Sequence, residues 1–328
     1  MRESGLVVQN GHSGTLLALL RTVLRQRPTY LHLDWIHSYY LRANPLKTIL
    51  TLPLFYLEVL LIYHFTATRL VWTLHNIRPH RPTRLGELSD YTRRFFARHC
   101  QFVRVFSSST AAKAIDYLRL PTDKIRVVPE GSYTSWYAEA TASDGKAFLG
   151  IPDRRRLLLS VGTLHPYKGI DLLIEAYSTL DDPAWGLVIA GAAPDPGYTQ
   201  QLARLVAAST ARDRIIFRPG LIPDEEMPYY FAAAELAVLP FRQIENSGSV
   251  ILAMGFGLPI ITGNVGVPAV RLRHQSALLY DDTLLDTLQK AMQLPPETLR
   301  AIGTVNRTEV ERYKWADFAA FFPARRSA

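Results

Sequence analysis

Cysteine is almost absent from this chain of 328 residues, which contains Cys100 alone. A single cysteine excludes an internal disulfide framework and favours a reducing compartment, so we expect a cytoplasmic location. The nine histidines are scattered, and no group of cysteines and histidines has the spacing of a zinc site. Internal repeats, low-complexity tracts and an N-terminal secretory signal are also lacking. These absences exclude a disulfide-stapled domain, a zinc module and a solenoid.

The positive charge is concentrated in the first part of the chain. The net charge is +8, and residues 1–140 hold 18 Lys and Arg against 9 Asp and Glu, whereas the remainder is nearly balanced. A basic half attracts nucleic acid, anionic lipid or a phosphorylated substrate. No nucleic-acid-binding motif accompanies it, so we expect no nucleic-acid partner. The length, with 48% hydrophobic residues, is enough for two cores and predicts two domains.

A strongly apolar stretch lies within this basic half, at residues 49–65. Pro53, Glu58 and His64 interrupt it, and it falls short of a comfortable bilayer span of about 20 residues. The stretch predicts a helix, and two interpretations stay open: a helix buried in the first domain, or one with a face in the lipid interface. On the second interpretation, the protein contacts the inner face of the cell membrane peripherally through residues 46–65.

Residues 157–262 alternate apolar strands with helical patterns. The pattern predicts strands at 157–161, 187–191, 215–217, 236–240 and 259–262, and helices at 198–208, 224–234 and 247–257. Uninterrupted apolar runs suit strands that are buried on both faces of a parallel sheet. The alternation therefore predicts a doubly wound α/β domain, in which ligands bind at the carboxyl ends of the strands.

The first of these strands ends at Gly162, and a helical pattern begins after Gly169. Between them lies one cation, Lys168, beside the free backbone N–H groups of a helix start. A cation next to a helix N-terminus suits an anion, and a phosphate fits best. The alternative interpretation is an ordinary connection between strand and helix with a solvated lysine.

A second loop of similar character, residues 245–249, has the sequence Glu-Asn-Ser-Gly-Ser. Ser247 can cap the helix that follows, and Gly248 lets a ligand approach the backbone closely. Hydroxyls and N–H groups of Ser247, Gly248 and Ser249 would then face an anion at the positive end of the helix dipole. We predict a second phosphate-binding loop here, and the alternative is a plain helix cap.

The segment 157–269 resembles the nucleotide-sugar-binding domain of GT-B glycosyltransferases, in particular their large retaining group, glycosyl transferases group 1. This resemblance implies an α/β fold of two Rossmann-like domains that face a cleft. It also implies a donor sugar linked to GDP or UDP, with no resident cofactor. The motifs that carry it are the stretches 162–176, 187–191, 220–226 and 245–261, with weaker matches at His75-Asn76 and 127–131.

The resemblance also implies how the chain is divided. We expect an acceptor-binding domain over 1–145, a nucleotide-sugar-binding domain over 146–308, and a C-terminal helix over 309–328 that crosses back to the first domain. The first domain offers candidate strands at 5–8 and 30–33. By the family pattern it is short by about 30 residues, the size of one βα unit, so we predict that its first βα unit is absent.

Three positions depart from the family pattern. Thr163 stands where the family usually has an arginine that contacts phosphate, and Leu252 stands where a glutamate holds the donor ribose. Glu245 lies one position away from the family's first glutamate, and we expect it to reach the hydroxyls of the transferred sugar. The alternative for Glu245 is a surface carboxylate in a loop.

The expected catalytic residues are Asp34, His75 and Glu245. Asp34 and His75 lie at predicted strand ends of the first domain, where either can orient or deprotonate an acceptor hydroxyl. The sequence has no Asp-x-Asp motif, and Lys168 with the helix N-termini can neutralise a leaving diphosphate, so we expect no metal. The resemblance assigns donor binding to Gly162, Thr163, Lys168, Gly191, Ile222, Glu245, Asn246, Ser247, Gly248 and Ser249.

The predicted activity is transfer of a hexose from a nucleotide-diphosphate sugar to a saccharide or lipid-linked acceptor, in bacterial synthesis of a surface polysaccharide or glycolipid. Two alternatives stay open. Thr163, Leu252 and the short first domain favour a non-catalytic relative that binds a nucleotide sugar or a partner protein. A GT-B epimerase would need acid–base residues around the sugar ring, and none are evident in the sequence.

Overall fold

The computed structural model describes residues 6–11, 16–42, 44–77 and 86–323. Contacts divide the chain into two units. Unit 1 comprises Met1–Pro129 with Trp315–Ala328, and unit 2 comprises Glu130–Lys314. The chain passes from unit 1 to unit 2 after Pro129, whereas we expected the boundary at 145–146, and it returns to unit 1 at Trp315 rather than at 309.

Unit 1 contains a four-stranded parallel sheet whose strands pair in the order β1-β2-β3-β4. The strands are β1 (Tyr30–Leu33), β2 (Arg69–Thr73), β3 (Cys100–Val105) and β4 (Ile125–Val127). The helices between and around them are α1 (Ala18–Gln26), α2 (His37–Tyr40), α3 (Pro45–Phe65), α4 (Gly86–His99) and α5 (Ser108–Asp116). The helix predicted over 49–65 is thus present and extends to Pro45.

The connections of unit 1 all lead in one direction across the sheet. Right-handed crossovers in one direction place every connecting helix on the same face. On that face Phe55 of α3 and Phe96 of α4 pack with Trp72 in one core cluster. The opposite face is covered by the C-terminal segment, whose Phe318 and Phe322 pack against Val71, Phe102 and Val128.

Unit 2 contains a six-stranded parallel sheet in the order β10-β9-β8-β5-β6-β7. Its strands are β5 (Arg156–Val161), β6 (Trp185–Gly191), β7 (Ile215–Pro219), β8 (Leu236–Leu239), β9 (Ile260–Gly263) and β10 (Leu279–Tyr280). Its helices are α6 (Ala142–Leu149), α7 (Ile170–Ser178), α8 (Pro196–Ala208), α9 (Met227–Ala233), α10 (Gly248–Gly255), α11 (Gly266–Arg271), α12 (Leu284–Met292) and α13 (Pro296–Glu311). From β5 the chain builds outward through β6 and β7, then returns to β8 on the other side. This reversal is the doubly wound topology, and it places a ligand-binding position where the carboxyl ends of β5 and β8 lie side by side.

The strand β5 shows why its sequence is uninterruptedly apolar. Leu157, Leu159 and Val161 face a core cluster on one side of the sheet, whereas Leu158 faces a cluster on the other side. Both faces are covered by helices, so neither tolerates the polar alternation of a half-exposed strand.

Two predicted elements of unit 1 differ in the structure. Residues 6–8 of the candidate strand 5–8 form no strand, and Leu6 instead packs beside the cluster that covers the open face of the sheet. The helix expected over 309–328 is broken, because α13 ends at Glu311 and α14 (Trp315–Ala319) begins only after the chain has turned. In that turn the Tyr313 carbonyl accepts a hydrogen bond from the Ser132 N–H at 2.9 Å instead of one from a following helical residue. Residues 324–328 of the expected helix lie outside the described residues.

Candidate functional site

Two glycines bring the carboxyl ends of β5 and β6 into direct contact. Gly162 has φ 137° and Gly191 has φ 146°, values that residues with a side chain rarely adopt. A Cβ atom at Gly191 would lie 1.9 Å from the Gly162 carbonyl oxygen. The absence of side chains at these two glycines therefore allows the backbones at the ends of β5 and β6 to touch.

Lys168 is placed over the end of β5 by a single tight turn. Its Nζ lies 3.8 Å from the position a Cβ would occupy on Gly162, and 4.7 Å from the centre of the Phe241 ring. Gly169 follows with φ 68°, and a Cβ there would lie 2.1 Å from the Pro240 carbonyl oxygen, so only glycine fits. The loop is therefore fixed against the end of β8, and Lys168 is fixed with it.

The Lys168 ammonium forms no ion pair or hydrogen bond with the residues described. Burial lowers its pKa from 10.5 to about 8. Its neighbours are instead the faces of the Phe241 and Tyr167 rings, at 4.7 and 5.6 Å. A desolvated cation without a counter-ion is an unfavourable arrangement that a bound anion relieves.

The helix α10 begins at the same position. Ser247 is buried, and its hydroxyl accepts a hydrogen bond from the Val250 N–H at 3.4 Å, so it caps the helix as predicted. The Ser249 hydroxyl oxygen lies 2.6 Å from the Cβ position on Gly162, beside Lys168. The first turn of α10, the Ser249 hydroxyl and Lys168 thus converge on Gly162, and an arrangement of this kind suits an anion.

Glu130 is a member of this site that sequence reasoning missed. One of its carboxylate oxygens accepts a hydrogen bond from the Asn246 side chain at 2.6 Å, and the other accepts one from the Tyr133 hydroxyl. The second oxygen lies 3.7 Å from the Cβ position on Gly248, the first residue of α10. Glu130 therefore links the beginning of unit 2 to the loop 245–249. The only signal in the sequence was its place in the stretch 127–131.

Arg242 is a second residue of this site that the sequence did not indicate, and it holds the turn that carries Lys168. Arg242 donates two hydrogen bonds of 2.7 Å to the two oxygens of Asp171, and a third to the Pro166 carbonyl at 2.8 Å. Tyr198 donates to the same carboxylate at 2.8 Å. A bidentate pair of this kind is geometrically specific, so it fixes the turn that carries Lys168 relative to the end of β8.

The other predicted donor residues occupy different environments. Thr163 is exposed beside Gly162, and Glu245 is half-buried, with its backbone carbonyl accepting from the Val267 N–H at 3.1 Å. Ile222 is only 8% exposed and belongs to the core, so its backbone alone can border a ligand. Leu252 is partly buried and packs against the same core cluster.

Unit 1 brings together Asp34 and His75 at the carboxyl ends of its first two strands. The two side chains are joined by a hydrogen bond of 2.9 Å between His75 Nε2 and Asp34 Oδ1. Burial would raise the pKa of the Asp34 carboxyl, but the bond from His75 and the nearby charges of His32 and Arg104 outweigh it and lower that pKa. An ionised carboxylate only accepts, so Nε2 carries the proton and the other ring nitrogen, Nδ1, is left as the basic one.

Neighbouring residues hold the Asp34 and His75 side chains in place, and a cavity adjoins them. Trp35, half-exposed, stacks on the His75 ring at 4.5 Å between ring centres. Arg93 donates to the carbonyls of Asn76 and Ile77 and so fixes the segment after β2. A cavity of about 240 Å³ adjoins the pair and is lined by these residues together with His37 and Tyr40. The arrangement offers a positioned base beside an aromatic surface.

Within the described ranges, no group of three or more His, Cys, Asp or Glu side chains is placed to hold a metal ion. The cation in the anion-binding arrangement of unit 2 is Lys168 itself.

Comparison with known proteins finds sequences and structures similar to this chain. Residues 143–304 match the family model of glycosyl transferases group 1. A GDP-mannose:glycolipid 4-beta-D-mannosyltransferase of Xanthomonas campestris pv. campestris is 29% identical over 249 residues, which are 74% of this chain and 63% of that relative. The chain thus spans less than two thirds of that relative's length.

Solved structures share the fold over nearly the whole chain. The sucrose-phosphate synthase of Thermosynechococcus elongatus superposes with a TM-score of 0.73 at 18% identity, covering 93% of this chain and 75% of that one. The Anabaena protein HepE, solved in complex with UDP, gives a TM-score of 0.71 at 16% identity, covering 93% and 80%. The chain therefore has the GT-B class of fold, and its residues 143–304 match the family model of glycosyl transferases group 1.

Proposed function

We propose that this protein is a glycosyltransferase that moves a hexose from a nucleotide-diphosphate sugar to a saccharide or lipid-linked acceptor. The observation that carries the proposal is the desolvated Lys168, which converges with the first turn of α10 on Gly162 and has no protein counter-ion within the described residues. A diphosphate supplies the missing negative charge, and the family match covers this site. The relative from Xanthomonas bears a name that specifies GDP-mannose as donor, so GDP- and UDP-linked hexoses are the donors to test first.

The chemistry needs a neutralised leaving group. When an acceptor oxygen bonds to the anomeric carbon, the bond from that carbon to the β-phosphate oxygen breaks and the nucleoside diphosphate leaves with the electron pair. Lys168, the N–H groups at the start of α10 and the Ser249 hydroxyl stabilise the charge that develops on that oxygen. We propose that this set replaces a metal ion, and that the protein uses no resident cofactor.

The acceptor loses one proton in the same reaction. We propose that His75 Nδ1 takes it from the acceptor hydroxyl, while Asp34 holds the imidazole in the required tautomer and stabilises the charged ring. The exposed face of Trp35 offers a flat apolar surface on which a sugar ring can pack. Glu245, half-buried in the loop before α10, stays a proposed contact of the transferred sugar's hydroxyls.

A lipid-linked acceptor is favoured by helix α3. An 18-residue window within its 20 residues Leu46–Phe65 has a mean hydropathy of 1.6, and by length and composition alone the helix is sufficient to cross a membrane. One face is buried in unit 1, where Phe55, Val59 and Ile62 are at most 1% exposed. A helix that uses one face for a protein core presents only the other face to lipid, so it suits an in-plane position.

The lipid-facing side of α3 is a stripe of exposed apolar residues. Leu46, Ile49, Leu50 and Leu57 share one side of the helix and are each about half or more exposed. Lys47 on α3 and the exposed arginines of α1 add positive charge, which favours anionic head groups. We propose a cytoplasmic protein that docks through residues 46–65 on the inner face of the bacterial membrane.

The activity is tested by measuring nucleoside diphosphate release from a panel of GDP- and UDP-hexoses, with water or an added saccharide as the acceptor. We expect release with at least one donor, unchanged by EDTA, and about 10- to 100-fold slower in Lys168→Ala. Lys290→Ala, an exposed lysine on α12, is the matched control and should behave as wild type. No release from any donor would favour a non-catalytic relative, and loss in EDTA restored by Mg²⁺ would overturn the metal-independent mechanism.

A further inference from the structure

A larger cavity lies at the opposite end of the unit 1 sheet from Asp34 and His75. It has a volume of about 920 Å³ and opens at the amino-terminal ends of β2 and β3. In parallel α/β sheets, ligands bind at the carboxyl ends of the strands, which is where Asp34 and His75 lie. This cavity is at the other end of the strands, so it is separate from the proposed acceptor site. Its lining is made of Thr29, Tyr30, Tyr63, Thr66, Ala67, Thr68, Arg69, Leu70, His99, Cys100, Gln101, Lys124 and Pro323.

The charged residues in this lining are all positive. Arg69 and Lys124 line the cavity, and none of the carboxylates that the structure describes does. The Arg69 guanidinium makes one long hydrogen bond, to the Tyr30 hydroxyl at 3.5 Å, so most of its five N–H donors are unused by the residues described. Lys124 donates to the carbonyls of Arg98 and Cys100, which leaves one of its three N–H donors.

The negative ends of two helices also reach this cavity, and protein side chains donate hydrogen bonds to three carbonyl groups in their last turns. The helices α3 and α4 end at Phe65 and His99. The Thr66 hydroxyl donates to the Ile62 carbonyl at 2.7 Å, and His99 Nδ1 donates to the Phe95 carbonyl at 2.8 Å. Lys124 binds two further carbonyls, those of Arg98 and Cys100, so protein donors reduce the partial negative charge that would repel an anion. The remaining donors of Arg69 and Lys124 are left for a ligand.

We propose that this cavity binds a phosphate group, held by Arg69 and Lys124, with the Tyr63 hydroxyl as a further donor. The phosphate belongs either to a small soluble ester or to the head group of a membrane lipid. The lipid source is favoured by position, because Tyr63 near the end of α3 lines the cavity and is 49% exposed, and the same helix carries the exposed apolar stripe that we propose faces lipid. A head group in the cavity would anchor the C-terminal end of α3 at the membrane surface.

The experiment follows the imidazole of His99 by NMR, since this ring lines the cavity and reports on it locally. The full-length protein is titrated with glycerol phosphate at fixed pH and ionic strength, and separately with vesicles of phosphatidylglycerol in phosphatidylcholine. We expect a saturable shift of the His99 signal in wild type and in Lys168→Ala, whose altered site is in unit 2. In Arg69→Gln the apparent affinity should fall about tenfold or more, because a charged hydrogen-bond donor is lost.

The control variant is Lys113→Gln, which removes one exposed positive charge of unit 1 outside the cavity and should bind as wild type. Arg69→Gln is preferred over Lys124→Gln because Lys124 also caps two carbonyls and its loss could unfold the segment. A shift with vesicles alone assigns the phosphate to a lipid, and a shift with glycerol phosphate alone assigns it to a soluble ester. The proposal is overturned if neither ligand moves the His99 signal, or if Arg69→Gln responds as strongly as Lys113→Gln.

Discussion

At the scale of single residues, the account depends on groups whose charge is set by their surroundings. Lys168 is desolvated beside two aromatic rings, and Asp34 is kept ionised by His75 and by nearby positive charge. The first arrangement prepares a cation for an anionic ligand, and the second prepares a base with a fixed tautomer. Both are pairings of residue type and environment that recur at functional sites.

The lowered pKa of Lys168 predicts how nucleotide affinity depends on pH. The unliganded lysine titrates at about 8, and a bound diphosphate raises that pKa because it favours the charged form. The nucleotide affinity is then highest well below pH 8, where the lysine is charged in both states. It falls as the pH rises through 8, by about tenfold between pH 7 and pH 9. Calorimetry of nucleoside diphosphate binding at three pH values measures this. The account is contradicted if Lys168→Ala shows the same loss of affinity with pH as wild type.

Asp34→Asn and His75→Gln test the proposed base. Each should lower the rate of transfer to the acceptor by about 10² to 10⁴, because the acceptor proton loses its receiver or the imidazole loses its tautomer. Nucleotide affinity should not change, because the proposed donor site is in unit 2. Steady-state rates with and without acceptor, measured beside nucleotide affinity, separate the two effects. Equal rates in wild type and both variants would remove Asp34 and His75 from the mechanism.

At the scale of elements, close contacts hold the two loops that we propose bind phosphate. The turn before α7 touches the end of β8 through Gly169, and the loop before α10 is tied to Glu130 through Asn246. The strands β5 to β9, the start of α10 and the glycines at the ends of β5 and β6 were predictable, because each depends on residues within a few positions. The bond between Glu130 and Asn246 joins residues 116 positions apart, so no local pattern could indicate it.

Gly169→Ala tests whether that turn is fixed by contact as well as by backbone conformation. The Cβ would need both a left-handed backbone at φ 68° and space that the Pro240 carbonyl occupies at 2.1 Å. We expect a loss of unfolding free energy of about 2 kcal/mol or more, with weaker nucleotide binding. The matched control is Gly150→Ala, where φ is 71° and nothing lies within 4 Å, so it carries the backbone cost alone. Equal melting temperatures of the two variants would show that the contact with Pro240 does not matter.

Helix α3 makes a separate prediction about the membrane. Leu50 is 72% exposed on the apolar stripe, and Leu50→Ser should weaken binding to anionic vesicles by roughly fivefold, which corresponds to about 1 kcal/mol of apolar transfer. Val305→Ser, on an exposed face of α13 in unit 2, should have no effect. Vesicle flotation at low salt measures both. If wild type does not float with anionic vesicles, a soluble saccharide becomes the favoured acceptor.

At the scale of the whole molecule, unit 1 is made of two segments that lie far apart in the sequence. The last segment belongs to unit 1, where Phe318 and Phe322 cover the sheet face that the crossover helices leave open. Sequence alone indicated such a return, but it could not show that α13 ends at Glu311 or that residues 130–137 pack with unit 2. There the Thr134 hydroxyl lies 2.6 Å from the Cβ position on Gly255 of α10, a contact between distant parts of the chain.

The central claim is that unit 2 binds a nucleoside diphosphate through Lys168, and calorimetry of GDP and UDP binding tests it most directly. Wild type and the control Lys290→Ala should bind at least one of the two nucleotides with equal affinity. Lys168→Ala should bind it more weakly by about 1.5–3 kcal/mol, the usual contribution of a hydrogen bond to a charged group. Binding of the same strength in Lys168→Ala, or no binding of either nucleotide to wild type, would contradict the account.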